Sequence, residues 1–363
     1  MKAVSKIKIK IMFKRMLIFS KIFIFLSSAS ACHNIGDLNE KDRIQKSEFK
    51  AVEKIKFENI GKLTNSFIGR MHLIDSSLFL TDFESDFIFH QYNPKSKSIT
   101  KSFFKKGTKF SEGIAPLSSG VLNKNLFWFH DVSLSRLVTA KRVSLNGRDT
   151  LEYKQYNIPN NFFSVQLKDS ATILAIGGYH VKERIQEINI NSGQEVSKFG
   201  VYENKPEGMP YNSWKYANEG FLFINKGNQK AIIAKKIFDE FEILDLKTMS
   251  VKIIKGSENL QPKLKPINVQ GKDFVEFDNT VKRAYICASL TFKYIYLLYS
   301  KGYELSPEGD LGSTIFVFDW QGNPIKKIIF ENQVSSFTVS ENDNMIYAFE
   351  PSSQLLLSSS LKN

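Results

Sequence analysis

From about residue 51 onward, short runs rich in Ile, Phe, Val, Tyr and Leu alternate with turn clusters of Asn, Gly, Ser, Asp and Lys, the pattern of short strands joined by tight turns. No segment sustains a 3.6-residue period over a dozen positions, so the pattern predicts an all-β chain. The C-terminal part is the clearest. KYIYLLY (293–299) and TIFVFDW (314–320) are two strands, and the turn Gln321-Gly322-Asn323 leads into PIKKIIF (324–330). VSSFTV (334–339) then turns through Asn342-Asp343-Asn344 into MIYAFE (345–350). Four strands of about six residues in meander order form one blade of a β-propeller.

The same unit recurs along the chain. FIGRMHLI, LFLTDF, FIFHQYN and SITKSFF, between 67 and 104, form a first blade. LFWFHD (126–131) marks a second, with outer strands around Val143 and Tyr153. FFSVQL, TILAIGG, RIQEINI and VSKFGVY (162–202) give a third, and GFLFI, KAIIAKK, EFEILDL and SVKIIKG (220–256) a fourth. The fifth spans 281–330 and the sixth 334–361. The second strands end near Asp82, Asp131, Gly178, Lys235, Tyr299 and Glu350, at intervals of about 50–60 residues, a propeller period lengthened by loop insertions. A two-sheet sandwich does not repeat a four-strand unit in this way. The sixth unit runs out of chain after QLLLSSSL (354–361), so it lacks an outer strand. KAVEKIKFE (50–58) has strand character and lies ahead of the first blade. The expectation is an all-β, six-bladed propeller over residues 50–363 whose last blade is closed by an N-terminal strand.

Ahead of the repeats, a basic segment leads into the apolar run Met16 to Leu26, broken once by Lys21, then into small residues and Cys32. This is the three-part order of a secretory signal, and the apolar run is shorter than the roughly 20 residues of a spanning helix. Met12 and Met16 are alternative starts. Ala29-Ser30-Ala31-Cys32 is similar to a bacterial lipobox, with Ala29 where Leu or Val is usual. The reading is a signal over 1–31, lipid attachment at Cys32, a polar tether over 32–49, and a protein anchored to a bacterial membrane on its periplasmic side or at the cell surface. Cleavage after Ala31 to leave a soluble periplasmic protein is the competing reading, because A-x-A is also satisfied.

Charge changes the picture little. The formal net charge is +13, but seven of the 50 basic residues and none of the 37 acidic ones lie within residues 1–31. The remaining Lys are scattered among Asp and Glu, where a phosphate-binding surface concentrates them on one face. Nucleic acid is therefore not an expected partner. With Cys32 acylated, Cys287 in AYICASL has no partner for a disulfide and reads as a small buried strand residue.

NTVKRAYICASLTFKYIYLLYSKGY, GSTIFVFDWQGNPIKKIIF and VSSFTVSENDNMIYAF together resemble the TolB-like propeller lipoproteins known largely from the Bacteroidota. EFEILDLKTM and KPEGMPYNSWKYANEGFLFI are similar to the middle of the same family. The resemblance covers roughly residues 60–355. It implies six blades behind a lipoprotein signal, and it brings no assigned reaction and no catalytic residues. Where related lipoproteins carry a Gly-x-Gly-Pro-x-Glu-like loop, KKGTKFSEGIAP (105–116) keeps Gly107 and Glu112 but lacks the Gly-Pro step.

The five His, His33, His72, His90, His130 and His180, are dispersed, and neither HExxH nor CxxC occurs, so no sequence-local metal site is expected. A propeller can still assemble a metal in its channel from one residue per blade, for which His72 and His180 are the first residues to test. His90 and His130, between aromatics on strands, read as packed and hydrogen-bonded. Asp82 and Asp131 occupy corresponding strand ends and read as turn-capping groups. GxSxG, SxxK and P-loop patterns are absent, and Gly177-Gly178 is not followed by a helix pattern, so it is no phosphate cradle. The loops 300–313 and 257–280 are the largest insertions, and Tyr303, Glu304 and Asp310 are candidates for contacting a partner. No catalytic residue and no cofactor is expected. The functional expectation is an envelope binding or scaffolding propeller whose partner is an envelope protein, a peptide or a glycan. The alternative is a channel-mouth hydrolase or lyase, possibly metal-dependent.

Overall fold

The computed structural model describes residues 48–362 apart from 124, 146, 147, 159–161, 180 and 226. The signal, Cys32, most of the tether, His33 and His180 lie outside the described residues. Six sheets, each built on four antiparallel strands and one extended by a fifth, follow one another along the chain. Blade one is β3–β6 (Ile68–Ile74, Ser77–Asp82, Phe87–Asn93, Ser98–Lys105), and blade two is β7–β10 (Pro116–Asn123, Leu126–Asp131, Arg136–Leu145, Arg148–Asn157). Blade three is β11–β14 (Ser164–Leu167, Thr172–Ile176, Ile185–Asn189, Glu195–Phe199), and blade four is β15–β18 (Gly220–Asn225, Lys230–Lys235, Glu240–Asp245, Ser250–Lys255). After the hairpin β19–β20 (Leu264–Val269, Lys272–Phe277), blade five is β21–β24 (Tyr285–Leu290, Tyr294–Tyr299, Gly312–Asp319, Pro324–Val334). Blade six is β25–β27 (Ser336–Val339, Met345–Glu350, Leu355–Ser360), completed by β2 (Glu58–Lys62).

Successive residues on a strand point to opposite faces, and here each face meets a different neighbouring blade. Phe127 and Phe129 of β8 pack with Phe79, Phe89, Phe103 and Phe104 of blade one. Trp128, between them, packs with Val165, Leu167 and Ile173 of blade three. Equivalent layers join blades three and four, four and five, and five and six. Ile68, Met71, Leu78 and Leu80 then meet Phe349 and Leu356, joining blade one to blade six. Continuous apolar runs such as LFWF and IYLLY arise because a blade is buried on both faces. Each inner strand lies beside the next, and β25 lies beside β3, which closes the ring.

Closure by an N-terminal strand is present, with a shift in the segment that performs it. β2 pairs antiparallel with β27, Glu58 facing Ser358 and Lys62 facing Leu355. Most of 50–58 does something else: β1 (Ala51–Lys54) adds in parallel to the outer edge of β24 and gives blade five a fifth strand. Phe49 packs on Phe316 and Phe318, and Phe57 lies edge-on to Phe330 at 5.0 Å between centroids. These rings hold the chain as it steps from blade five to blade six. The closing strand, ENIGK, carries a bulge at which the Asn59 carboxamide oxygen accepts the Gly61 N–H (2.8 Å), so its side chains do not alternate as a regular strand's do.

The meander places the first-to-second and third-to-fourth strand turns of every blade on one face of the ring, and the other two kinds of connection on the opposite face. The opposite face carries the inserts. The expected loop 257–280 contains the hairpin β19–β20, and 200–219 contains the helix α1 (Tyr211–Ala217). Seven residues are too few for a periodic signal. α1 begins after Pro210, at φ −58°, and is held by packing, with Ser213, Trp214, Lys215 and Ala217 buried.

Candidate functional site

The inner strands of all six blades line a central cavity of about 540 Å3 that opens between the turns of the first face. Met71, Leu73, Val121, Leu122, Phe223 and Val339 make much of its wall, and Asp75, Phe292 and Glu341 stand in the turns at its mouth. Phe292 is 66% exposed there. Burial and the neighbouring Asp343 push the Glu341 carboxyl above the usual carboxylate range.

At the far end lies Arg70, on β3. Its guanidinium sits over the rings of Phe221 (4.7 Å to the centroid) and Phe223 (5.3 Å) on β15 of the opposite blade, so the side chain crosses the channel. It donates one hydrogen bond, from Nη1 to the Gly69 carbonyl (3.1 Å). Lys236 stacks on the same Phe221 (5.1 Å) while paired with Glu219 (2.7 Å). Arg70 went unnoticed in the sequence, although a guanidinium in the middle of the apolar run FIGRMHLI is a readable signal.

Beyond Arg70, on the opposite face, α1 and the hairpin form a shelf. The Ser213 hydroxyl donates to the Phe274 carbonyl (2.6 Å), and Trp214, Phe238, Leu264 and Val281 form its small core. Lys215 is buried and donates to the carbonyls of Gly178, Tyr179 (3.0 Å) and Val181 (2.7 Å); burial draws its ammonium down to about 8. Three carbonyl dipoles thus hold the loop after β12 against α1. On this shelf Phe163, Tyr216 and Phe274 form a row of half-buried rings, with centroids 5.0 and 4.8 Å apart. Gly177, at φ +85°, makes the row possible, since a Cβ there would stand 2.1 Å from Phe163.

The residues singled out in the sequence fall into separate places. Asp82 accepts the N–H groups of Phe67 (3.1 Å), Glu84 (2.8 Å) and Ser85 (3.1 Å). Asp131 does the same for Ile114 (2.6 Å), Ser133 (3.0 Å) and Leu134 (3.2 Å). Both are turn-capping groups. Burial opposes the Asp82 charge, yet His90, Ser66 and these amides hold its carboxyl below the ordinary value. His90 bonds Ser102 (2.7 Å) and Ser85 (3.1 Å). His130 is packed but not fully hydrogen-bonded, because its Nε2 is buried with no partner. Burial, only partly offset by Asp131, pulls its pKa down to about 4.

His72 lines the channel, and no group of three or more His, Cys, Asp or Glu that could hold a metal ion occurs among the described residues. Cys287 is buried in the channel wall. Glu304 and Asp310 both bind Arg283, Glu304 at 2.8 Å through Nη2, and they brace the 300–313 loop, while the Asp310 side chain stays more than half exposed. Tyr303 is left half exposed beside Leu305. Glu112 accepts the Lys109 N–H (3.1 Å) and fills the space a Cβ would occupy at Gly107, so this loop holds its shape without a Gly-Pro step.

The comparisons agree with this architecture. A member of the DUF4221 family from Bacteroides vulgatus is similar at a TM-score of 0.53 and 9% identity, covering 85% of this chain and 99% of that one. The Cps50 (Swd1) β-propeller domain of Myceliophteria thermophila gives 0.48 at 6% identity, and the WD40 repeats of RRP9 give 0.48 at 8%, each covering 85% of this chain and 100% of the other. At 9% identity the likeness to the DUF4221 protein is one of fold. No functionally curated protein matches the chain. The family model of the TolB-like 6-blade propellers matches residues 49–342, most of the ring described above, and the chain belongs to that family.

Proposed function

We propose that this protein is a binding or scaffolding propeller of the bacterial cell envelope, lipid-anchored through Cys32, that presents the α1 and β19–β20 face to a protein, peptide or glycan. The observation that carries the reading is the shelf on that face. Two inserts, each ordered by buried contacts, hold three half-exposed aromatic rings in a row beside the channel. Rigid aromatic area on a braced support is what recognition surfaces are made of. The ionisable groups nearby are engaged elsewhere: Arg283 with Glu304 and Asp310, Arg184 with Glu242 (3.1 Å), Lys235 with Glu240 (2.7 Å). The attachment side supports the same orientation. Ala51 pairs with Lys326 at the start of β24, so the chain joins the ring from the turn face.

A photoreactive amino acid at Tyr216 on the shelf, compared with one at Asn123 on the turn face, tests the reading in living cells. Discrete adducts from the shelf position alone are expected. Equal labelling from both faces, or none from the shelf, rejects it. In the same cells Cys32→Ala is expected to move the protein from the membrane fraction to the soluble fraction, and an unchanged distribution rejects the anchor.

A further inference from the structure

The cavity at the other end of the channel carries a second, independent inference. Buried and half-buried guanidinium groups elsewhere in this protein are neutralised or tied by several bonds. Arg283 holds Glu304 and Asp310, Arg184 holds Glu242, and Arg136 donates to the Gln155 side chain (3.1 Å) and the Glu112 carbonyl. Arg70, which is half-buried, differs. Among the described residues it makes no ion pair, and one backbone carbonyl takes one of its five N–H donors. The Phe221 and Phe223 rings cover a face of the guanidinium and help fix it across the channel. An arginine so held presents the planar, forked donor set that matches a carboxylate in bidentate fashion.

The rest of the cavity narrows the ligand class. Between Arg70 and the mouth the wall is mixed and somewhat more apolar than polar, with Leu73, Val121 and Leu122 beside His72, Gln166 and Thr338. Asp75 lies five residues on from Arg70, about 17 Å at roughly 3.3 Å per residue, and the volume of about 540 Å3 is in the range of small-molecule sites. Asp75 and Glu341 at the mouth oppose a second negative charge. We infer that the channel is a binding site for a monocarboxylate with an extended apolar body, of the medium-chain fatty-acid type, with its carboxylate on Arg70 and its chain directed towards the turn face. This goes beyond the partner-binding proposal and does not depend on it, because it concerns the opposite end of the ring.

Titration calorimetry of sodium decanoate into the full chain, below the micellar concentration, tests the inference. One-to-one binding is expected. Arg70→Gln is expected to weaken it by about tenfold or more, the effect of losing a charge-assisted bidentate contact. Decanol and decyltrimethylammonium, which offer the same chain without the carboxylate, are expected to bind more weakly by a similar factor. A second variant, Gln166→Trp, fills the channel without touching Arg70 and is expected to abolish binding. Matching thermal unfolding curves for both variants and the parent protein show that the ring is intact. The inference is overturned if decanoate does not bind, if decanol binds as well as decanoate, or if folded Arg70→Gln retains full affinity.

Discussion

His130 sits in the second strand of blade two, 1% exposed, with its Nε2 lacking a hydrogen-bond partner. Burial lowers its pKa from the ordinary 6.5 to about 4. The unfolded chain therefore takes up a proton between about pH 6.5 and 4 that the folded chain refuses, and stability falls as pH falls through that window. From pH 7 to pH 5 the loss from this one group is about 2 kcal/mol, at about 1.4 kcal/mol per pH unit within the window. Urea unfolding at the two values is expected to show it, and His130→Phe is expected to flatten that part of the dependence. An unchanged slope in the variant means another group titrates. The sequence showed His130 between aromatic residues and so conveyed its burial. It did not convey the missing hydrogen bond, which depends on what blade three places opposite.

At the scale of elements, the inner strands are joined by hydroxyls. Among the described residues no backbone ladder links one blade to the next, and side chains do so instead. Ser118 of β7 accepts the Val165 N–H (3.0 Å), Ser164 of β11 accepts that of Leu222 (3.2 Å), and Ser289 of β21 accepts that of Val339 (2.9 Å). Ser336 of β25 donates to the Ile68 carbonyl (2.9 Å), and Thr81 bonds Ser119 (2.8 Å). Asn225 of β15 reaches the Thr291 carbonyl (2.7 Å) beside β21. Ser164→Ala leaves a buried amide without its acceptor and is expected to cost about 1–3 kcal/mol in chemical unfolding; a change within error assigns the bond no structural weight. This also explains why β7 is hard to see in the sequence. Its centre, Ser118-Ser119-Gly120, is chosen for close approach near the axis and for bridging, with the Trp128 ring where a Cβ on Gly120 would point, and it carries little strand propensity. Strands farther from the axis, such as EFEILDL, the third of blade four, lack that constraint and are legible.

At the scale of the whole molecule, the ring is held shut by residues nearly 300 positions apart. β2 supplies the last strand of blade six, the Tyr92 hydroxyl donates to the Ile60 carbonyl, and the hydroxyls of Ser335 and Ser336 both reach the Ile68 carbonyl (3.0 and 2.9 Å). A chain beginning at Leu63 lacks β1 and β2 and exposes the β27 edge. It is expected to unfold at a clearly lower temperature and to associate through that edge; an unchanged thermal transition and a monomeric state reject closure as a source of stability.

By itself the sequence determined the all-β class, the number of blades, the need for an N-terminal closing strand and the turn-capping Asp residues, because turn chemistry and local strand patterning set all of these. Only the tertiary structure decided that 51–54 joins blade five while 58–62 closes blade six, that Glu304 and Asp310 brace a loop, and that Arg70 spans the channel. Each of these depends on which distant blade stands opposite, and that relation arises only when the ring closes.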